Sequence, residues 1–183
     1  MLIVDVQQAI DADYHAIEGP RNNVDAESNI AKLLATWRHA RRPIIHIRHD
    51  STFATSAYRP GQSGNEFKPE VAPGTGEIVI AKRTNSAFIG TDLERRLRLE
   101  GLDTLVVTGA STNNSVEATV RMAGNLGFHT IVVDDACFTF ARHDYRGRLR
   151  TADEVHAMSL ANLSEEYCSV STTNQILAAV ANL

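Results

Sequence analysis

Three places in the chain carry side chains that could make or break a bond together. Asp5 follows the apolar run Leu2-Ile3-Val4, Lys82 ends the run "EIVIAK", and the polar turn Ser111-Thr112-Asn113-Asn114-Ser115 follows the run "TLVVTG". A turn that opens a helix offers free backbone N–H groups and a positive partial charge. Both stabilise an anion, so such a turn suits a nucleophile or a tetrahedral oxyanion. The only candidate nucleophiles in this one are hydroxyls. A carboxylate beside a nucleophile can take its proton and pass it to a leaving amine. A lysine nearby keeps that carboxylate ionised and adds positive field. The trio therefore suits hydrolysis of an amide or related C–N bond. Taken singly, each residue has a plainer role: a loop-capping Asp, a solvated Lys, an N-capping Ser.

These residues need a scaffold that brings the ends of separate strands together. Apolar runs at 2–4, 43–49, 77–82, 104–109, 129–136 and 166–170 read as strands, and they alternate with helical patterns at 24–41, 91–100, 115–126, 151–163 and 172–182. In the first helix Ile30, Leu33, Leu34 and Trp37 share a face, with Asn22 or Asn23 as its cap. "TDLE" (91–94) and "TADE" (151–154) both have capping-box spacing. Continuously apolar strands separated by helices predict an α/β fold with a parallel sheet covered on both faces. Six strands with right-handed crossovers predict a doubly wound sheet, which binds ligands beyond the carboxyl ends of its strands where the strand order reverses. Asp5, Lys82 and the 111–115 turn all lie at such ends. Two long segments lack periodicity. The first, 50–76, is rich in Gly, Pro and Ser and carries Phe53, Tyr58 and Phe67; it reads as a lid over the pocket mouth. The second, 138–150, carries Arg142, Arg146, Arg148 and Arg150, and reads as an arm docked on a neighbouring subunit or as a solvated loop.

Composition narrows the class. A length of 183 residues, 43% apolar and 22% charged, fits one globular domain spanning 1–183. A net charge of −4 argues against a nucleic-acid partner, and no apolar run approaches the ~18 residues of a membrane helix. Two cysteines, Cys137 and Cys168, make neither a disulfide framework nor a zinc site. Both read as buried small hydrophobes. The chain opens on a strand rather than on a signal-like segment, which fits a cytoplasmic setting.

Three segments in this order, "LIVDVQ", "AKRTNSAFIGTDLERRLRLEGLDTLVVTGASTNNSVEATVRMAGNLGF" and "VVDDAC", resemble the isochorismatase-like cysteine hydrolase superfamily, which includes nicotinamidases, N-carbamoylsarcosine amidohydrolases and isochorismatases. The resemblance spans nearly the whole chain. It implies a three-layer α/β/α fold with six parallel strands in the order 3-2-1-4-5-6, so that Asp5 stands beside the 111–115 turn. It also implies Asp5 as general acid/base, Lys82 as its charged partner, and a cis peptide between Ala110 and Ser111 that lets the N–H groups of Ser111 and Ser115 form an oxyanion hole. The partners implied are a small-molecule substrate and a second copy of the chain, as dimer or tetramer; no cofactor is expected.

One departure stands out. The family's phrase T-x-x-C-V-E reads Thr112-Asn113-Asn114-Ser115-Val116-Glu117 here, so Ser115 occupies the place of the nucleophilic cysteine. A helix terminus and a lysine readily convert a thiol to a thiolate, whereas a serine hydroxyl needs a base during attack, and an Asp paired with a lysine is a weak one. Four explanations fit: an engineered Cys-to-Ser variant, a native serine in a hydrolase without a covalent nucleophile (isochorismatases cleave an enol ether by protonation from the Asp), a serine nucleophile, or a catalytically silent binding protein. A native serine is preferred, because Asn114-Ser115 and the following helix read as one coherent cap. Gln7, His49, Tyr58, Asn85 and Phe88 are candidate substrate contacts, with Arg83 and Ser86 beside them. His46, His49 and Asp50 do not reproduce the metal-ligand spacing of nicotinamidases, so no metal is expected. The reading is a hydrolase of a small amide, carbamoyl compound or enol ether.

Overall fold

The computed structural model describes residues 1–181. The strands are β1 (Leu2–Val4), β2 (Ile45–His49), β3 (Ile78–Lys82), β4 (Thr104–Ala110), β5 (His129–Phe138), β6 (Arg142–His143), β7 (Leu149–Arg150) and β8 (Ser169–Ser171). Six of them form a parallel sheet in the order β3-β2-β1-β4-β5-β8, while β6 and β7 pair antiparallel as a separate hairpin. The sheet order is the expected one; the hairpin only shifts the number of the last strand.

Five helices cover the sheet: α1 (Ala26–His39), α2 (Leu93–Leu99), α3 (Glu117–Asn125), α4 (Ala152–Leu163) and α5 (Thr173–Ala181). Successive strand residues face opposite ways, and the core divides accordingly. Ile3, Val106 and Val133 pack with Ile30, Leu33, Leu34 and Trp37 of α1 and Ile176 of α5. Leu2, Val4, Ile47 and Val107 pack with Leu93 and Leu97 of α2, Val120 of α3 and Leu163 of α4. These are the three layers α/β/α.

Some local expectations fail for identifiable reasons. Neither Asn22 nor Asn23 caps α1: Asn22 Oδ1 accepts the Thr139 N–H at 2.8 Å, and Asn23 Nδ2 donates to the carbonyls of Asp134 and Cys137. Both stitch the entry of α1 to the sheet. "TADE" forms the reciprocal capping box, but "TDLE" does not: Asp92 takes the N-cap position of α2, and the Thr91 hydroxyl accepts the Leu93 N–H while donating to the Ala87 carbonyl. The segment 166–170 becomes a strand only at Ser169–Ser171, so Cys168 precedes it. Asn182, expected in the last helix, lies outside the described residues.

One glycine sets the centre of the sheet. Gly109 pairs with Val4 across β1 and β4 and has φ +124°. A Cβ there would stand 2.1 Å from the Val4 carbonyl oxygen. Only glycine lets the two strands run this close, and Asp5 and the 111–115 turn extend from these two strands.

Candidate active site

Asp5 is the first residue beyond β1, and it is held in the left-handed region at φ +53°. Asp tolerates this conformation better than most residues, and non-glycine residues there concentrate at functional sites. Beyond β4 the chain turns through a cis Ala110–Ser111 peptide into a π-helical turn, Thr112–Val116, which runs into α3. Ser115 sits inside that turn and its side chain caps nothing, so the cap that supported a native serine is not what the residue does.

Lys82 reaches from the end of β3, past β2, into the space between β1 and β4. It is almost fully buried, and its ammonium donates to Asp5 Oδ2 at 2.6 Å, to the Thr84 carbonyl at 3.0 Å and to Ser115 Oγ at 3.2 Å. An ammonium has three donors, and each has an acceptor here. Since Ser115 Oγ accepts from Lys82, its own proton is free to be donated. Asp5 Oδ1 is buried and has no hydrogen-bond partner. Burial pushes the Asp5 carboxyl above the usual carboxylate range, although the Lys82 ammonium and the Ser115 hydroxyl pull the other way.

A cavity of about 200 Å³ opens over this trio. Ser111, Asn114 and Ser115 line it from the turn, Asn85 from beyond β3, His49 from β2, and Ser51, Phe53, Ser56 and Tyr58 from the segment after β2. Asn85, His49 and Tyr58, candidate contacts in the sequence, all line this cavity. Tyr14 and His15 also line the cavity. Sequence reasoning missed them because they lie on a short 3₁₀ turn, Asp13–His15, which has no periodicity; the available signal was an aromatic pair nine and ten residues beyond Asp5. A larger groove, about 860 Å³, runs between the β6–β7 hairpin and α4, and contains none of the trio.

Two proposed substrate contacts are corrected. The side chain of Gln7 is fully buried and spends its amide on backbone: Nε2 donates to the carbonyls of His49 and Asn65, and Oε1 accepts the His49 N–H at 2.8 Å. It is a clip between β2 and the segment 50–76. Phe88 stacks on Phe128 at 5.8 Å in the core and does not line the cavity. Nor do Arg83, which faces a separate groove with Arg59, or Ser86, whose hydroxyl accepts from the Phe88 N–H.

The segment 50–76 is bound down at several points. Asn65 Nδ2 donates to the carbonyls of His49 and Tyr58, the Gln8 N–H to Glu66, and the Lys68 N–H to Val6. The turn is held from behind as well. His156 Nε2 donates to Asp134 at 2.6 Å, which leaves Nδ1 to accept from the Thr112 hydroxyl at 2.8 Å. Ser159 Oγ stands within hydrogen-bond distance of both the Thr112 carbonyl and Glu117, which share its one proton.

His46, His49 and Asp50 diverge. His46 Nε2 pairs with Glu77 at 2.8 Å, and both Asp50 oxygens are held by Arg48. Among the described residues no three His, Cys, Asp or Glu side chains stand where they could hold a metal ion. Both cysteines are buried, and burial raises their thiols: Cys168 to about 11, and Cys137 further. Neither lines the cavity over Asp5 and Ser115.

Known proteins agree with this architecture. The Isochorismatase domain model matches residues 1–175. An isochorismatase family protein of Bacillus subtilis, YrdC, is 41% identical over 177 residues, covering 97% of this chain and 93% of its own. A crystal structure of an isochorismatase-family protein from Chromobacterium violaceum is 59% identical with a TM-score of 0.96, covering 100% of this chain and 93% of that one. Ureidoacrylate amidohydrolase RutB of Variovorax paradoxus is 32% identical over 136 residues, 74% of this chain and 49% of its own. By fold, sheet order and sequence, the chain belongs to the isochorismatase family of hydrolases.

Proposed function

We propose that this protein hydrolyses the C–N bond of a small amide or carbamoyl compound, with Ser115 as nucleophile, Asp5 as general base and then acid, and Lys82 as the fixed positive charge. The observation that carries this reading is the unpartnered Asp5 Oδ1 beside a Ser115 hydroxyl whose oxygen already accepts from Lys82. Ser115 Oγ attacks the carbonyl carbon and its proton passes to Asp5. The N–H groups of Ser111 and Ser115 hold the oxyanion. The C–N bond then breaks and Asp5 returns the proton to the departing nitrogen. Water, deprotonated by Asp5, then attacks the acyl ester, the C–O bond to Ser115 breaks, and Asp5 returns the proton to Ser115 Oγ, which restores both groups. Burial answers the objection that a lysine-paired Asp is a weak base, because it raises the carboxyl's proton affinity. The amide-cleaving activity named for the Variovorax relative supports the reaction class.

A second reading shares the site. An Asp with raised proton affinity is also suited to protonate the carbon of an enol ether, a reaction that needs no covalent nucleophile. Assaying small amides, carbamoyl compounds and enol ethers with the native protein, Ser115→Ala and Ser115→Cys separates the two. The amide reading expects Ser115→Ala to lose about 10³-fold or more and Ser115→Cys to keep or raise amide hydrolysis. Enol-ether turnover that survives Ser115→Ala establishes the second reading. If nothing is turned over and Ser115→Cys gains no activity, the protein is a silent binder. The same reading extends to a cytoplasmic setting and to a homo-oligomer, dimer or tetramer; the exposed Tyr145 and Met158 beside the hairpin groove support the oligomer, which light scattering checks.

A further inference from the structure

Two histidines in the cavity take no part in the reaction just described, and neither is satisfied by the protein. His15 Nε2 and His49 Nδ1 are both buried without a hydrogen-bond partner. A buried polar atom left unpaired is costly and rare in folded proteins. Their rings are held by packing instead. His15 stacks on Phe140 at 5.4 Å and touches Tyr14 at 4.2 Å, and both histidines stand edge-on to Tyr58, at 6.0 and 5.7 Å. An aromatic-walled cavity with a few convergent polar atoms is the usual form of a small-molecule site. No metal cluster of three ligands forms there among the described residues.

The charge of the lining narrows the ligand. Asp5 is the one carboxylate on the cavity wall, no arginine or lysine lines it, and Lys82 behind it has its donors engaged. Arg59 and Arg83 line a neighbouring groove that shares only Ser51 with this cavity. Burial holds both imidazoles below their usual range, so they offer a lone pair or an N–H rather than a charge. A volume of about 200 Å³ equals that of roughly seven waters at liquid density.

Resting on the amide reading above, we propose that His15 and His49 form a recognition pair that selects a small uncharged substrate, an amide or ureide bearing a second carbonyl or N–H group away from the scissile carbon. A carboxylate in that second position finds no arginine or lysine on the cavity wall to pair with and is rejected.

Succinamide and succinamate test this, since they have the same number of heavy atoms and differ in the charge at one end. Binding is measured by calorimetry in a Ser115→Ala background, and hydrolysis in the native chain. We expect succinamide to bind at least tenfold more tightly than succinamate. His15→Phe and His49→Phe are each expected to weaken succinamide binding about five- to thirty-fold while leaving the melting temperature unchanged or higher. A merely structural role for either histidine lowers the melting temperature instead. The proposal is overturned by equal or tighter binding of succinamate, by undiminished binding in both Phe variants, or by no saturable binding of either compound. Histidine-dependent binding of succinamide without hydrolysis by the native chain upholds the recognition pair and removes the hydrolase reading.

Discussion

At the level of single residues the site turns on who owns each proton. Lys82 donates to Asp5 Oδ2, the Thr84 carbonyl and Ser115 Oγ, which leaves the Ser115 proton and Asp5 Oδ1 as the free partners. Burial sets the proton affinity of Asp5 above that of an ordinary carboxylate. As a general base it must be ionised, so kcat/KM falls as pH drops through its pKa. A pH–rate profile on a small amide is expected to show that acid limb above the ordinary carboxylate value of about 4. A limb at or below that value contradicts burial as the dominant influence on Asp5. The trio was legible in the sequence because each member follows an apolar run, and a parallel sheet aligns such ends. The wall of the cavity was less so. Gln7 occupies a strand-end position like Asp5, yet its amide matches three backbone groups, a fit that position in the chain does not reveal. Phe88 has a suitable location and an apolar ring, and Phe128 takes that ring into the core.

At the level of elements, the separation of β1 and β4 decides whether Asp5 can meet the turn. Gly109→Ala places a methyl 2.1 Å from the Val4 carbonyl oxygen at φ +124°. Backbone on both sides must move, and the expected loss is about 3 kcal/mol or more of folding stability, read from chemical denaturation. Native-like stability in that variant rules out the close approach. Local signals were uneven guides to these elements. Capping-box spacing held at Thr151, where Glu154 reaches back to the Thr151 N–H, and failed at Thr91, because α2 starts one residue later with Asp92 as its N-cap. The π-helical turn at Thr112–Val116 left no mark in the hydrophobic pattern, because it is fixed by distant partners, His156 and Ser159 on α4.

At the level of the whole molecule, two carboxylates anchor α1: Glu27 binds Lys68 of the segment that walls the cavity, and Glu77, at the entry of β3, binds Arg38. Burial works against the charge of Glu27, but hydrogen bonds from Arg21 and Lys68 outweigh it and bring its pKa to about 2. The Arg38 hydrogen bond brings Glu77 to about 2 against a smaller opposing effect of burial. A carboxylate depressed on folding contributes stability above its unfolded value of about 4.3. That contribution is lost as pH falls from there towards 2. Melting temperature is therefore expected to decline across that window, and less steeply in Glu27→Gln or Glu77→Gln. A decline of equal slope in both variants argues against these two pairs. The sheet order itself was legible from continuous apolar strands and from the resemblance together, whereas these long-range ion pairs join positions that no local pattern links.

The central claim is that Asp5, Lys82 and Ser115 form one hydrolytic unit. The most direct measurement is ammonium release from a small amide such as succinamide by the native chain and by Asp5→Asn, each checked for an intact fold by circular dichroism. Asparagine keeps the shape of the side chain but cannot accept and return a proton. The account predicts a fall in kcat/KM of about 10²- to 10⁴-fold; release that persists at the native rate in Asp5→Asn contradicts it.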